Sequence, residues 1–283
     1  MLYVQEIIVM RRIIGIVLTI VLSMSAFCLV ACDPRADKTY IGIISAMENE
    51  IAALIEEAKI ERIDEIGGEK YYVGTLRGQN VVITKSGIGK VYVAAGATLL
   101  MSKYNLSQLI FTGIAGGVAE GTAVLDEIIA TRLVEHDYGL LTNEGFVWRS
   151  GDPGFGDQEG EYYYCDETLV NLAYAAAVQV LGAEHVFKGT IATGDQFIAS
   201  EEYVARLQRD YDAYACEMEG AAVAKICIAN DKPFVVIRAL SDKADGKAHD
   251  SYADFGDVAA NNSSRIVLAM LDAIKAQREQ PAA

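Results

Sequence analysis

Apolar and polar residues follow two different patterns along most of the chain. Short runs that are almost wholly apolar, such as residues 39–47 and 232–242, are rich in Ile and Val, which favours buried β-strands. Between such runs, segments such as residues 48–59 and 88–104 have helical spacing of their apolar residues. The alternation of strand and helix predicts a single α/β domain, with a central mixed, mostly parallel sheet flanked by helices.

Further segments extend this pattern. Residues 70–78 and 80–87 predict paired strands joined by a Gly-containing turn. The segment 138–164 is rich in Gly, Asp and Tyr and predicts a long loop, and the closing helix is expected from about residue 255 to 276. Other strands are predicted at 108–117, 125–137, 185–193 and 211–215, and other helices at 166–181, 201–209 and 221–229.

The first 32 residues form a separate pattern. Arg11 and Arg12 precede an uncharged, mostly apolar stretch at 13–31 that ends in "LVAC". This order is typical of a secretory signal, and its ending resembles a bacterial lipoprotein signal, which implies a lipidated Cys32 and an extracytoplasmic, membrane-anchored protein. The alternative is an uncleaved membrane anchor, since the stretch is nearly long enough to span a bilayer. The predicted division is a signal peptide at 1–31, a short tether at 32–38 and a main domain at 39–283.

Charge and cysteine content exclude several classes of protein. The chain of 283 residues has a formal net charge of −15 and no stripe of Lys and Arg, so we expect no nucleic acid partner. After the signal and Cys32, three cysteines remain, an odd number without the Cys-x-x-Cys spacing of zinc sites. The histidines are scattered along the chain, and we expect no metal and no cofactor.

Chemically useful residues gather where the predicted strands end, in the segments "SAMENE", "SGIGK", "TGIAGG", "TGDQFI", "CEMEG" and "RALSDKAD". Ligands of α/β sheets bind beyond the carboxyl ends of the strands, and glycines let backbone amides approach them. Several acids, one arginine and the ring of Phe197 favour a polyhydroxylated, ring-bearing ligand without phosphate. Glu217 and Glu219 of "CEMEG" have a simpler interpretation too, as first-turn acids favoured by a helix dipole.

Five motifs resemble those of the 5′-methylthioadenosine/S-adenosylhomocysteine nucleosidases, in the purine nucleoside phosphorylase superfamily. They are "IGIISAMENEI", "KSGIGKV", "ATGDQFI", "EMEGAAVA" and "PFVVIRALSD". The resemblance runs from about residue 40 to the last helix. It implies a nucleoside phosphorylase-like fold, a homodimer, and hydrolysis of the N-glycosidic bond of a thio-substituted adenosine to adenine and a thioribose.

The resemblance also implies roles for individual residues. Glu50 corresponds to the glutamate that activates water, with Arg238 near it, and Asp242 to the aspartate that protonates the purine. Glu219 corresponds to the acceptor of the ribose 2′- and 3′-hydroxyls, supported by Glu217. The other expected substrate contacts are Phe197 stacked on adenine, the Ile198 backbone at the base edge, Ser241, Ala115, Gly116, and Met47, Ile88, Met218 and Tyr252 on the sugar and thioether side.

The chemistry of N-glycosidic bond hydrolysis requires such acidic groups, whatever the protein family. Departure of neutral adenine requires an acid beside the base, and a sugar with oxocarbenium character attracts a carboxylate that can also activate water. To deliver a proton near neutral pH, Asp242 needs a raised pKa or a hydrogen bond that strengthens in the transition state. One carboxylate that accepts two hydrogen bonds holds a diol well.

Three features depart from the family pattern. Ile114 stands where a serine is common, and Tyr252 stands where a phenylalanine often covers the 5′ substituent. The stretch after "HD" at 136–137 matches poorly, and in the family this region helps a neighbouring subunit to close the 5′ pocket. The 5′ substituent is therefore the part of the substrate that the sequence defines least.

Two other functions remain open at this point. A phosphorolytic nucleoside phosphorylase would share the fold, but its relatives place an arginine where this chain has Phe111, and "SGIGKV" lacks their phosphate-binding serine; other hydrolytic relatives, including futalosine hydrolases, are harder to exclude. A nucleoside-binding lipoprotein without catalysis would suit the membrane tether. Such a carrier, however, has no need of a water-activating glutamate.

Overall fold

The computed structural model describes residues 38–148 and 162–279, and Thr39–Ala283 forms one compact unit. The strands are β1 Tyr40–Ser45, β2 Lys59–Ile66, β3 Glu69–Leu76, β4 Gln79–Lys85, β5 Leu106–Gly117, β6 Glu127–Glu135, β7 Gly139–Thr142, β8 Gly145–Trp148, β9 Tyr163–Tyr164, β10 Val186–Thr193, β11 Ala213–Glu217 and β12 Phe234–Asp242. The helices are α1 Glu48–Glu57, α2 Lys90–Lys103, α3 Glu167–Leu181, α4 Glu201–Tyr211, α5 Gly220–Ala229 and α6 Ala248–Glu279, with one 3-10 turn at Ala183–His185.

The central sheet is mixed, as the sequence predicts. Its strand order is β11-β10-β6-β12-β5-β1-β4-β3-β2. Strands β12, β5, β1 and β4 pair in parallel, as do β6, β10 and β11, whereas β12 and β6 are antiparallel. An additional antiparallel pairing joins Cys216 of β11 to Gly116 of β5, so one half of the sheet closes on itself. This closure brings the carboxyl ends of β5, β11 and β12 together.

Helices cover both faces of the sheet, which explains the near-continuous apolar runs of its strands. Successive residues of β12 alternate between the two sides, with Phe234 and Val236 in the core beneath α2 and α5. Val235 and Ile237 lie in the opposite core, which α1, α3 and α6 cover. This period of two is the expected geometry of a strand that is buried on both faces.

The structure differs from the sequence-based prediction in three elements. β2 is an additional strand in which Ile recurs at every third position among charged residues, and it lies at the end of the sheet with one row of side chains exposed. The predicted loop at 138–164 contains the β7–β8 hairpin and β9. The last helix begins at Ala248, well before the predicted start. Asp245 accepts hydrogen bonds from the backbone N–H groups of Lys247 and Ala248 and so stabilises the start of the helix. The first turns are polar, so the sequence shows no apolar helical period there.

The predicted signal peptide at 1–31 and Cys32 lie outside the described residues, so that division of the chain stays a prediction. No helix within 38–148 or 162–279 is long and apolar enough to cross a membrane.

Candidate active site

A cavity of about 280 Å³ opens where β1, β5, β11 and β12 end. Its lining residues are Ala46, Met47, Glu50, Ile88, Ile114, Ala115, Gly116, Gln196, Phe197, Ile198, Cys216, Glu217, Met218, Glu219, Ser241, Asp242, His249 and Tyr252. Every substrate contact expected from the sequence is among them, and so are both expected catalytic carboxylates. The structure therefore brings together residues as far apart in the chain as Ala46 and Tyr252.

Glu50 is held from three directions in the first turn of α1. One oxygen accepts hydrogen bonds from the Ser45 hydroxyl and from the backbone N–H of Met47 at 2.8 Å. The other accepts from the backbone N–H of Ile114 at 2.9 Å. Because this contact uses the backbone, the isoleucine that replaces the common serine does not disturb it. The carboxylate is 2% exposed and has one fixed orientation.

Arg238 lies directly behind the cavity wall and is 1% exposed. Its Nη2 lies 2.6 Å from Glu217 and 3.6 Å from Glu219, and its guanidinium stacks 4.0 Å above the ring of Phe111. At Gly113 on β5, a Cβ atom would collide with both Arg238 and Glu50, so glycine leaves room for these two side chains beside the strand. We call Glu50, Glu217, Glu219 and Arg238 the acidic cluster.

Glu217 organises the start of α5. Its two oxygens accept hydrogen bonds from the hydroxyl of Thr193 and from the backbone N–H groups of Glu219 and Gly220, in addition to the guanidinium of Arg238. Carboxylates are favoured at a helix N-terminus, where backbone N–H groups lack partners. Glu217 therefore serves both as a helix cap and as the ion-pair partner of Arg238, a supporting position in the cluster.

Glu219 stands at the N-terminus of α5 and is 5% exposed. It accepts a hydrogen bond of 2.7 Å from the backbone N–H of Gly89, the residue before α2. Burial, together with the neighbouring charge of Glu217, raises the pKa of Glu219 to about 8, although Arg238 opposes the shift. The Glu219 carboxyl therefore retains a proton near neutral pH, and hydroxyl groups that donate hydrogen bonds to it favour the loss of that proton.

Asp242 closes the opposite wall of the cavity at the end of β12. One oxygen accepts from the Ser241 hydroxyl and the other from the backbone N–H of Ala244, both at 2.7 Å. Burial raises the pKa of Asp242, and these two hydrogen bonds counteract part of the rise. The backbone of β5 approaches the Asp242 carboxyl closely at Gly116, since a Cβ atom there would lie 2.9 Å from it.

A further part of the cavity lining carries no carboxylate. Met47, His249 and Tyr252 form it, and we call them the 5′ wall because the sequence assigns this side to the 5′ substituent. The Tyr252 hydroxyl lies 3.5 Å from the Met47 sulfur, and its ring stands edge-on to Phe197 with centroids 6.3 Å apart. Phe197 itself is 53% exposed, so it is not a core residue.

The lining provides no obvious site for a phosphate or a metal ion. None of the described residues that line the cavity is Lys or Arg. Lys243, next to Asp242 in sequence, directs its Nζ toward the Thr122 carbonyl at 2.9 Å and hydroxyl at 2.8 Å. Within 38–148 and 162–279, no group of three His, Cys, Asp or Glu side chains could hold a metal.

Comparison with known proteins identifies the family to which the chain belongs. A profile described as the phosphorylase superfamily matches residues 40–272. The 5′-methylthioadenosine/S-adenosylhomocysteine nucleosidase of Shewanella sediminis is 38% identical over 236 residues, which cover 82% of this chain and 98% of that protein. The chain belongs to this nucleosidase family.

Solved structures agree with membership of the nucleosidase family. The nucleosidase of Neisseria meningitidis in complex with methylthio-immucillin-A has a TM-score of 0.75 and 36% identity, covering 83% of this chain and 99% of that chain. The futalosine hydrolase of Helicobacter pylori has a TM-score of 0.73 and 30% identity, covering 83% of this chain and 98% of that chain. The fold is therefore shared by hydrolases that differ in substrate.

Five residues of this nucleosidase-family cavity were not among the contacts predicted from the sequence: Ala46, Ile114, Gln196, Cys216 and His249. Gln196 directly precedes Phe197, so its position in the same loop is a signal that could have found it. His249 lies three positions before Tyr252, which places both on one face of a helix, but the late predicted start of α6 hid that relation. Cys216 lies in the wall near Asp242, and burial keeps its thiol neutral by raising its pKa.

Proposed function

We propose that this chain hydrolyses the N-glycosidic bond of 5′-methylthioadenosine and S-adenosylhomocysteine, releasing adenine and a 5′-thioribose. One observation carries the proposal: two buried carboxylates meet the same strand from different walls of one cavity. Glu50 approaches β5 at Gly113 and Asp242 approaches it at Gly116. Three residues of strand span about 10 Å, a separation that a nucleoside can bridge with its purine at one end and its sugar at the other.

Each carboxylate has a separate chemical task in this scheme. Asp242, whose pKa burial raises, gives a proton to a purine ring nitrogen while the bond between the sugar C1′ and the purine breaks and its electron pair passes to the base. Water attacks C1′ and loses a proton to Glu50. Both groups then return to their starting states by proton exchange with solvent.

Glu219 and Arg238 prepare the sugar for this reaction. Glu219 accepts hydrogen bonds from the 2′- and 3′-hydroxyls, which fixes the ribose over Glu50. Arg238 touches the carboxylates and not the substrate, so it is a positioning residue. Its positive charge allows several acids to share one buried site.

Hydrolysis is favoured over phosphorolysis because the described lining offers no Lys or Arg to a phosphate. The test is release of the free base by the purified full chain, each substrate with and without phosphate: adenine from methylthioadenosine, adenosylhomocysteine and adenosine, and hypoxanthine from inosine. Release from the thio-nucleosides without phosphate, lost in Glu50→Gln and Asp242→Asn, supports the proposal. Release that requires phosphate contradicts it, and binding without any release would identify a carrier.

We also propose that lipid on Cys32 anchors the protein to a membrane and presents the nucleosidase domain outside the cytoplasm. The basic start, the apolar stretch and "LVAC" support this. Mass spectrometry of the mature N-terminus tests it. A diacylated Cys32 that is lost in Cys32→Ala supports the anchor, and an unmodified chain starting at Met1 contradicts it.

A homodimer completes the proposal. Beside Ile88 of the cavity, Val91 is 79% exposed and Tyr92 is 65% exposed, and Leu141 of the β7–β8 hairpin is 79% exposed. Exposed apolar side chains on these two segments favour a covering partner. Size-exclusion chromatography with light scattering of the full chain should give twice the monomer mass, and a monomer at micromolar concentration contradicts the proposal.

A further inference from the structure

The hydroxyl of Tyr252, in the cavity lining, makes fewer hydrogen bonds within the described residues than a phenol can make. Its described contact is the Met47 sulfur at 3.5 Å, and a thioether is a weak acceptor. A phenol also carries lone pairs that can accept hydrogen bonds, and none of the hydrogen bonds identified within 38–148 and 162–279 uses them. Tyr252 lines the cavity, so its hydroxyl is available to a polar atom of the ligand.

The position of this hydroxyl is fixed by its surroundings. The ring packs edge-on against Phe197 at an interplanar angle of 87°. Tyr252 belongs to α6, and Asn49 of α1 donates a hydrogen bond of 2.8 Å to Asp257 of α6, which links the two helices. Burial and the charges of Glu50 and Asp257 raise the pKa of Tyr252, so the phenol keeps its proton. It remains a donor at all ordinary pH values.

We propose that Tyr252 is a specificity-determining residue that binds an oxygen on the 5′ carbon of the nucleoside, so that the chain also takes 5′-hydroxylated nucleosides. This rests on the proposed nucleosidase function and extends its substrate class. A 5′-hydroxyl both donates and accepts, and it therefore matches a phenol better than a thioether does. His249, one turn earlier on α6, gives the same wall a second polar side chain.

The test is a two-by-two comparison of protein and substrate. Wild type and Tyr252→Phe are each assayed with adenosine and with 5′-deoxyadenosine, two nucleosides that differ only in the 5′ oxygen. Such a cycle isolates the interaction between hydroxyl and oxygen from any general effect of the substitution. We expect the ratio of kcat/KM for adenosine to that for 5′-deoxyadenosine to fall roughly 3- to 10-fold in Tyr252→Phe, the size of one neutral hydrogen bond.

Controls separate this inference from the proposed function. Tyr164→Phe removes an exposed hydroxyl outside the cavity and should leave the ratio as in wild type. An unchanged ratio in Tyr252→Phe, with wild type active on methylthioadenosine, overturns the inference alone. If wild type releases no adenine from any nucleoside, the proposed function fails. In that case, dissociation constants of wild type and Tyr252→Phe for adenosine and 5′-deoxyadenosine decide whether Tyr252 binds the 5′ oxygen.

Discussion

The glutamates of the acidic cluster and the residues of the 5′ wall line one cavity but differ in how many hydrogen bonds their polar groups make. Glu50, Glu217 and Arg238 are at most 7% exposed, and each carboxylate oxygen of the two glutamates accepts at least one hydrogen bond. The Tyr252 hydroxyl of the 5′ wall has one contact with sulfur, and the neighbouring ring of Phe197 is half exposed. From this difference we propose that the acidic cluster determines the reaction and the 5′ wall determines which nucleosides bind.

Loss of the water-activating group should give the largest effect. Glu50→Gln keeps the shape of the side chain but removes its ability to take a proton, so kcat should fall about 10²- to 10⁴-fold. Steady-state adenine release measures it. Glu48→Gln, one exposed position on the same helical turn, is the matched control and should retain wild-type activity. Equal loss in both variants would break the distinction between cluster and surface.

Removal of the central cation should destabilise the fold. Arg238→Met leaves Glu217 buried without its ion-pair partner, and the free energy of unfolding should fall by about 3–5 kcal/mol. Urea titration followed by circular dichroism measures this change. Arg265→Met, at an exposed position on α6, should shift stability by less than about 0.5 kcal/mol. A stable Arg238→Met variant would mean that the acids do not depend on this charge.

The pH dependence of binding tests Glu219 directly. Hydroxyl donors favour the ionised carboxylate, so substrate binding must remove the proton that a pKa of about 8 retains at neutral pH. Affinity should therefore rise about tenfold per pH unit from pH 6 towards 8 and level off above it. Calorimetric titration of Glu50→Gln with methylthioadenosine measures the slope without turnover. The slope should vanish when Glu219→Gln is added, and a slope that persists would assign it to another group.

The smallest effect is expected at Phe197, which neighbours the 5′ wall. Phe197→Leu replaces an aromatic surface by an aliphatic one, so the loss of stacking should raise KM for methylthioadenosine roughly 2- to 10-fold with little change in kcat. Phe255→Leu, a partly exposed ring on α6 outside the cavity, serves as the control. A fall in kcat without a rise in KM would show that Phe197 belongs functionally to the acidic cluster.

The sequence predicted most of the sheet because both of its faces are buried. The Ile- and Val-rich runs of β1, β5 and β12 have no polar face that could be confused with a helix or loop. β2 was missed because its Ile residues recur at every third position among charged residues, which is not the period of two that predicts a strand, and because one side faces solvent. The N-terminal turns of α6 were missed because Gly246 and a run of polar residues give no apolar periodicity.

The candidate site was predictable as a set of residues but not as an electrostatic arrangement. The motifs around Glu50, Glu219 and Asp242 placed all three acids in one cavity. That Arg238 is buried behind them, and that burial raises the pKa of Glu219, depends on the pairing of distant strands. No short sequence pattern contains this information.

The central claim is that water attacks the sugar carbon of a thio-nucleoside. The most direct measurement is hydrolysis of methylthioadenosine by the full chain in ¹⁸O-labelled water without phosphate, with mass spectrometry of the sugar product. The account predicts that each thioribose carries one ¹⁸O and that adenine forms in equal amount. A requirement for phosphate, with a sugar phosphate as the product, would contradict it.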